Sequence, residues 1–446
     1  MTRNSLVYIF LIAFVSFQSA QAQTPSATPA PAPDDRPRTY YPPVRVEIPA
    51  TVTNTEISPA TPQIVAPAVG TRPQPGPPVA GPTATERHEV GTNASIVMAP
   101  SVIHSRITEA VRLLRSRPMP TSFGSPVIDV VTLAALDRST ARIHLVPMYK
   151  PTFLKKGSEA TMTSSLGVQL NVRILRANGV NTAVAIFDPQ GRALVPLVVQ
   201  YPIEKGGVFR EMAYYTSVHP ALFSPELARS GQAYVRTMLD LAVKRLRERG
   251  KFISPQIVDV AERLCLVEHV DHDRFRNENR LALYQEVYSL FALNQLETYR
   301  YSVSSAGAGG MVQMIPWAYN LMKSRHPGVG LIPDFVVGMR THSNALQAML
   351  LYMQDTWNDL SANEDVQYAL RAKLATQTEL LAAGYNSNAA RLPSYIRRGG
   401  ASWRYLIPRE TQMYLQIYKS IEGLIPQKPH ATPVTQAPSA KAKRHS

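Results

Sequence analysis

Cysteine is nearly absent from this chain. Cys265 is its only one in 446 residues, so no disulfide can form within it. Stability must come from apolar cores, and the length suffices for two. Cys265 sits in AERLCLVEHV on the apolar side of a helical pattern. A buried thiol fits that setting better than a nucleophile, which would need a histidine partner the segment does not evidently provide. Long apolar runs are also scarce. Leu6 to Phe17 is the only notable one, and it is too short for a comfortable bilayer span. Acidic residues are outnumbered, with 32 Asp and Glu against 47 Lys and Arg, giving a formal charge of +15. Such a balance attracts anionic polymers. An aromatic-and-basic nucleic-acid module is missing, as is any internal repeat. EHVDHD brings His269, Asp271, His272 and Asp273 close in sequence, but the spacing matches no calcium-loop or zinc motif, and a polar interhelix loop is expected instead.

What is present at the N-terminus is a targeting pattern. Arg3 precedes the apolar run, and Ala20-Gln21-Ala22 is a small-x-small cleavage site. Residues 1–22 therefore read as a secretory signal peptide cut after Ala22; an uncleaved anchor is the competing reading. No cysteine follows the run, which argues against a lipid anchor. The expected location is the periplasm or cell envelope.

Composition divides the remainder. Residues 23–90 are rich in Pro, Ala and Thr and bury too little apolar surface to offset their ordering entropy, so an extended, disordered tether is expected. Residues 95–220 read as a small antiparallel β domain with a leading helix near Ser101 to Arg117. Val168, Leu170, Val172 and Ile174 alternate with polar residues, the period of a half-buried strand. Asp188-Pro189-Gln190-Gly191 suits a type I turn between two strands. Nothing in this region looks catalytic; binding of a cell-envelope protein partner or of glycan, or simple packing, are the roles open to it. Residues 221–425 read as helical. Ser224-Pro225 and Ser254-Pro255 are helix starts, and Gly250 is a stop. Residues 426–446 form a second disordered tail, ending in the basic cluster AKAKRHS. The fold class is thus α+β multidomain, with a C-terminal all-α domain preceded by a small antiparallel β domain.

The chemistry is sought in ETYRYSVSSAGAGGMVQMIP, residues 297–316. Glu297 closes an apolar helical run, and a carboxylate in an apolar setting is suited to proton donation. The small residues that follow leave room for a polymer to approach the backbone. Taken alone, Glu297 reads as a surface residue at a helix end. Glu286 shares its helix face, but no small-residue segment follows it.

Five ordered pieces of residues 280–420 resemble the catalytic core of soluble lytic transglycosylases, lysozyme-like enzymes that cleave peptidoglycan. Glu297-Thr298 stands where that family has Glu-Ser. Ser304 to Gln313 resembles its Ser-x-x-Gly-Ala-x-Gly-Leu-Met-Gln. Asn344 and Tyr352 match a following helix, with Ala348 replacing Gly. Tyr385-Asn386 match its Tyr-Asn pair, with Ser387-Asn388 replacing Ala-Gly, and Pro408 to Tyr414 resembles the closing Pro-x-Glu-Thr-x-x-Tyr. The spacing from Glu297 to Ser304 is about two residues shorter than the family's. The resemblance implies a lysozyme-like C-terminal domain with Glu297 as catalytic acid and then base. It implies Ser304, Gln313, Tyr385 and Asn386 at the glycan, and Tyr414 steadying the catalytic carboxyl. The implied reaction splits the β-1,4 bond between N-acetylmuramic acid and N-acetylglucosamine and closes a 1,6-anhydro ring. The implied partner is the peptidoglycan strand, not nucleic acid, and no metal or organic cofactor is implied. A hydrolytic muramidase and a catalytically silent wall-binding protein remain open beside it, as does the oligomeric state.

Overall fold

A computed structural model describes residues 98–118, 121–122, 125–126, 128–304 and 306–430. The signal peptide, the Pro-rich segment 23–90 and the basic cluster near the C-terminus lie outside the described residues.

The first half is a sheet. After helix α1 (Pro100–Arg115) come the two-residue strands β1 (Thr121–Ser122) and β2 (Ser125–Pro126). The main sheet comprises β3 (Val130–Asp137), β4 (Arg142–Tyr149), β5 (Glu159–Thr163), β6 (Gln169–Arg176), β7 (Ala183–Phe187), β8 (Ala193–Lys205) and β9 (Val208–Thr216), with a one-turn α2 (Lys150–Phe153) after β4. Its order is β4-β3-β8-β7-β6-β5, β9 pairing with β8, and every pairing is antiparallel. The two ends of that order approach each other: Ser165 N–H donates to the Leu145 carbonyl, and Leu145 N–H to the Ser165 hydroxyl. The sheet is thereby almost a closed barrel.

Local pattern accounts for much of this. In β6, Leu170, Val172 and Ile174 are buried and the residues between them exposed, as the alternation requires. Strand β8 is buried continuously from Leu194 to Pro202. Such a run is expected where both faces are covered, and here α1 packs on one of them through Ile103, Ala110 and Leu114. Gly191, at φ +75°, closes the β7–β8 turn.

The second half is helical: α3 (Pro225–Glu248), α4 (Pro255–Val267), α5 (His272–Asn277), α6 (Arg280–Asn294), α7 (Pro316–Arg325), α8 (Phe335–Arg340), α9 (His342–Ser361), α10 (Glu364–Arg371), α11 (Gln377–Asn386), α12 (Leu392–Gly399) and α13 (Arg409–Leu424). Ser224 caps α3, its hydroxyl accepting from Leu227 N–H. Helices α6 and α9 are apolar on most sides and run through the interior. A Cβ on Gly231 would lie 1.7 Å from the Tyr288 carbonyl oxygen, so glycine is what lets α3 cross α6 so closely. Among the described residues, no helix is long and apolar enough to cross a membrane.

Element type changes near Pro220 as the sequence implies, but the packing does not divide there. One apolar cluster runs from Val131 in the sheet to Ile421 in α13. Polar ties reinforce it. Arg274 of α5 and Arg176 of β6 both grip Glu286, and Arg340 and Arg300 grip Glu211 of β9. Residues 426–430, expected to belong to the C-terminal tail, lie instead against the helices. Gln232 and Arg236 of α3 donate to the carbonyls of Pro426, Lys428 and Pro429. His430 is held by Asp259 at 2.8 Å. Residues 426–430 are therefore docked on α3 and α4: their carbonyls find donors there, so proline content alone does not detach them.

Candidate functional site

Helix α4 is apolar along nearly its whole length. Ile257, Val258, Val260, Ala261, Leu264, Cys265, Leu266 and Val267 are all buried. It ends at Glu268, whose N–H still bonds the Leu264 carbonyl. The next element, α5, starts at once because the Asp271 carboxylate accepts from the N–H groups of Asp273 and Arg274. The Glu268 carboxyl is left half-buried at the wall of a small open cavity of about 50 Å³, between Val267 and Val270.

Tyr414 of α13 meets it there. Its buried hydroxyl donates to Glu268 Oε1 at 2.7 Å, across 146 residues of sequence. A hydroxyl in that position restricts the carboxyl's rotamer.

The small-residue loop forms the facing wall. Ser304 N–H bonds the Ala308 carbonyl, and Ala308 N–H the Ser304 hydroxyl. Gly310, at φ +68°, has no room for a side chain, since a Cβ would lie 2.3 Å from the Met339 carbonyl oxygen. Gln313 is itself in the left-handed region at φ +45°. Its amide nitrogen donates to the Gly310 carbonyl at 2.7 Å and to the Ser302 hydroxyl at 3.2 Å. Ser304, Ala308 and Gln313 line the same cavity as Glu268, and so do Asn386, Glu410 and His272. Asn386 is oriented by the Thr411 hydroxyl, which donates to its Oδ1 at 2.9 Å. Burial holds the His272 imidazole below the usual histidine pKa, aided by Arg276, with Asp271 and Asp273 acting against it.

The structure thus brings Ser304, Gln313, Asn386 and Tyr414 together, and it separates them from Glu297. Helix α6 stops at Asn294, and Glu297 lies in a short 3-10 turn with its side chain 46% exposed, 3.3 Å from Arg300. It is not among the cavity-lining residues, and the tyrosine expected to steady it holds Glu268 instead. Glu286, the rival carboxylate, is bound by Arg274 at 2.7 and 2.8 Å and serves as a tie between helices and sheet. Tyr385 lies behind the wall, its hydroxyl donating to the Val312 carbonyl at 2.7 Å. Asn344 is also internal, bonded to Ile332, Tyr319 and Gly338.

Sequence reasoning passed over Glu268. A signal existed, since Glu268 also ends an apolar helical run, and it falls in the EHVDHD stretch weighed only for metal binding. In that stretch Asp271 is occupied as a helix cap, and His269 turns inward to the Met311 carbonyl. Among the described residues no cluster of three or more His, Cys, Asp or Glu is arranged to hold a metal ion. Cys265, one turn before Glu268, is fully buried, and burial together with the nearby Glu262 and Glu268 raises its thiol pKa far above the ordinary value.

No protein-family model, curated protein or solved structure matches this chain.

Proposed function

We propose that this protein is a peptidoglycan lytic transglycosylase with a lysozyme-like helical domain, and that Glu268 rather than Glu297 is its acid and base. The observation that carries the reading is the meeting of Glu268, Tyr414, Ser304, Gln313 and Asn386 around one cavity. Glu268-His269 then takes the place of the family's Glu-Ser pair. The α5–α6 excursion places it far before the Ser304 loop in sequence, a wider departure from the family's spacing than that of Glu297, and the fold brings the two back to one cavity.

In this mechanism the protonated Glu268 gives its proton to the glycosidic oxygen as the bond to the muramic acid anomeric carbon breaks. The N-acetylglucosamine side leaves with a new hydroxyl. Glu268, now a carboxylate, takes the proton from the muramic acid 6-hydroxyl, whose oxygen attacks the anomeric carbon and closes the 1,6-anhydro ring. The carboxyl ends protonated, ready for another cycle. Tyr414 holds it in one orientation throughout, while Asn386 presents its amide to the sugar and Gln313, whose amide nitrogen is engaged by Gly310 and Ser302, has only its Oε1 to offer. The N-terminal export pattern and the net positive charge suit a protein delivered to an anionic wall polymer.

One observation favours a hydrolytic variant: Glu410 lines the same cavity and would be a second carboxylate able to activate water. Mass spectrometry of a peptidoglycan digest separates the two. Anhydro-muramic ends support the transglycosylase, and reducing ends the muramidase. Wild type, E268Q and E297Q are compared in the same assay. Activity lost in E297Q and kept in E268Q would overturn the assignment.

A further inference from the structure

We infer that His269 is a positioning residue, which fixes the loop of residues 304–313 against the helix end that carries Glu268. The inference rests on the cleavage reading above and adds a second duty to the same helix terminus.

Glu268 and His269 are consecutive but face opposite ways. Glu268 lines the cavity, whereas His269 is buried in the core. Its Nε2 lies 3.0 Å from the Met311 carbonyl oxygen. A carbonyl only accepts, so the ring proton is on Nε2. The next carbonyl, that of Val312, takes the Tyr385 hydroxyl at 2.7 Å. Two successive carbonyls of the loop are therefore held from two different helix ends, those of α4 and α11. The loop residues that reach the cavity lie on either side of these anchors.

The imidazole is itself clamped. Tyr299 stacks on it with ring centroids 3.4 Å apart and planes within 2°, and Phe291 meets it edge-on. Tyr299 stands at φ +54°, and its N–H donates to the Tyr215 hydroxyl on β9. The sheet, the stacked pair and the loop thus form one chain of contacts ending beside the acid. Burial pushes the His269 pKa down to about 3, which keeps the donor neutral in the core. Its Nδ1 is buried with no hydrogen-bond partner. Phenylalanine would fill the slot without that unpaired nitrogen, and what it would lack is the Nε2–H.

That contrast defines the experiment. His269→Phe keeps a flat ring on Tyr299 and removes the donor. His269→Gln gives up the ring but returns an N–H near the Nε2 position. Amide hydrogen exchange and steady-state cleavage of peptidoglycan are measured on the full-length variants. H269F is expected to raise exchange at Ala308, Gly309 and Gly310 about tenfold or more while leaving the α9 amides unchanged. Its kcat should fall about tenfold with little change in KM, and H269Q should recover both properties in large part. Wild-type loop exchange in H269F overturns the inference. So does protection lost evenly across all helices with no rescue by H269Q, the mark of a merely structural residue. Should H269F not fold, H269Q and H269N carry the same contrast, because the Asn amide reaches only the Nδ1 position. If the wild type itself leaves peptidoglycan intact, the cleavage reading has failed, and the exchange pattern still decides whether His269 holds the loop.

Discussion

Mild acid should weaken this fold steeply, through two buried histidines and a half-buried one. Burial lowers the pKa of His219 and His342 to about 4 and that of His269 to about 3. In the unfolded chain each titrates near 6.5. Well above 6.5 all three are neutral in both states, and stability does not depend on them. Between 6.5 and about 4 the unfolded chain takes up protons that the native state refuses. Stability must then fall as the pH falls. Each histidine contributes a loss of roughly 1.2 kcal/mol between pH 7 and pH 5.5, or about 4 kcal/mol for the three. That is a large share of the 5–15 kcal/mol typical of a folded domain. His144 and His272 are shifted in the same direction. Glu262 opposes them, since burial raises its pKa despite Arg236 and His430 nearby, and the native state holds its proton longer. Asp137, held down to about 2 mainly by the Ser139 hydroxyl, acts only at lower pH. Urea unfolding at pH 7.0 and 5.5 reads the difference directly. His219→Asn, which keeps an acceptor for the Ala221 N–H now bonded by Nδ1, should flatten the pH dependence by about a third. A loss below about 1 kcal/mol, or a gain of stability at pH 5.5, would refute the reasoning.

Other substitutions test the site and its supports. E268Q should lower peptidoglycan cleavage by about two to four orders of magnitude, with E297Q within about twofold of wild type, in a release assay of soluble muropeptides. Y414F removes the 2.7 Å bond to Glu268 and should cost about tenfold or more in kcat, with a loss of global stability of about 1 kcal/mol. G310A forces a Cβ against the Met339 carbonyl and should destabilise the protein by roughly 2–4 kcal/mol in thermal unfolding. E286Q loosens the grip of Arg274 and Arg176. It should lower stability by about 1–3 kcal/mol while leaving the specific activity of the folded protein unchanged.

Features encoded over a few residues were legible in the sequence. The alternation in β6, the Asp188–Gly191 turn and the Ser224-Pro225 helix start depend on neighbours along the chain, and the structure has them where the pattern places them. The loop from Ser304 to Gln313, which lines the cavity, was legible as a tight small-residue segment for a similar reason, since its glycines answer local backbone demands. The acid was not. Glu268 and Glu297 carry the same local signature, a carboxylate ending an apolar helical run. What separates them is contact with Tyr414, and nothing near either residue encodes it. The shared core of sheet and helices was hidden likewise. Composition changes near Pro220, but whether β9 and α6 pack as one body depends on side chains far apart in sequence, such as Asn294, which accepts from Thr216 N–H.

The long span between Glu268 and Tyr414 has a consequence for assembly. Contacts distant in sequence incur the greatest loop-closure entropy and depend on the greatest amount of chain being in place. A ribosome that has emitted α4 and the Ser304 loop has not yet made the hydroxyl that orients the carboxyl. No N-terminal fragment ending before residue 414 contains it, however well its sheet has folded. The arrangement therefore requires the chain at least as far as α13, and truncation products that end before residue 414 but retain Glu268 lack the hydroxyl that holds it in place.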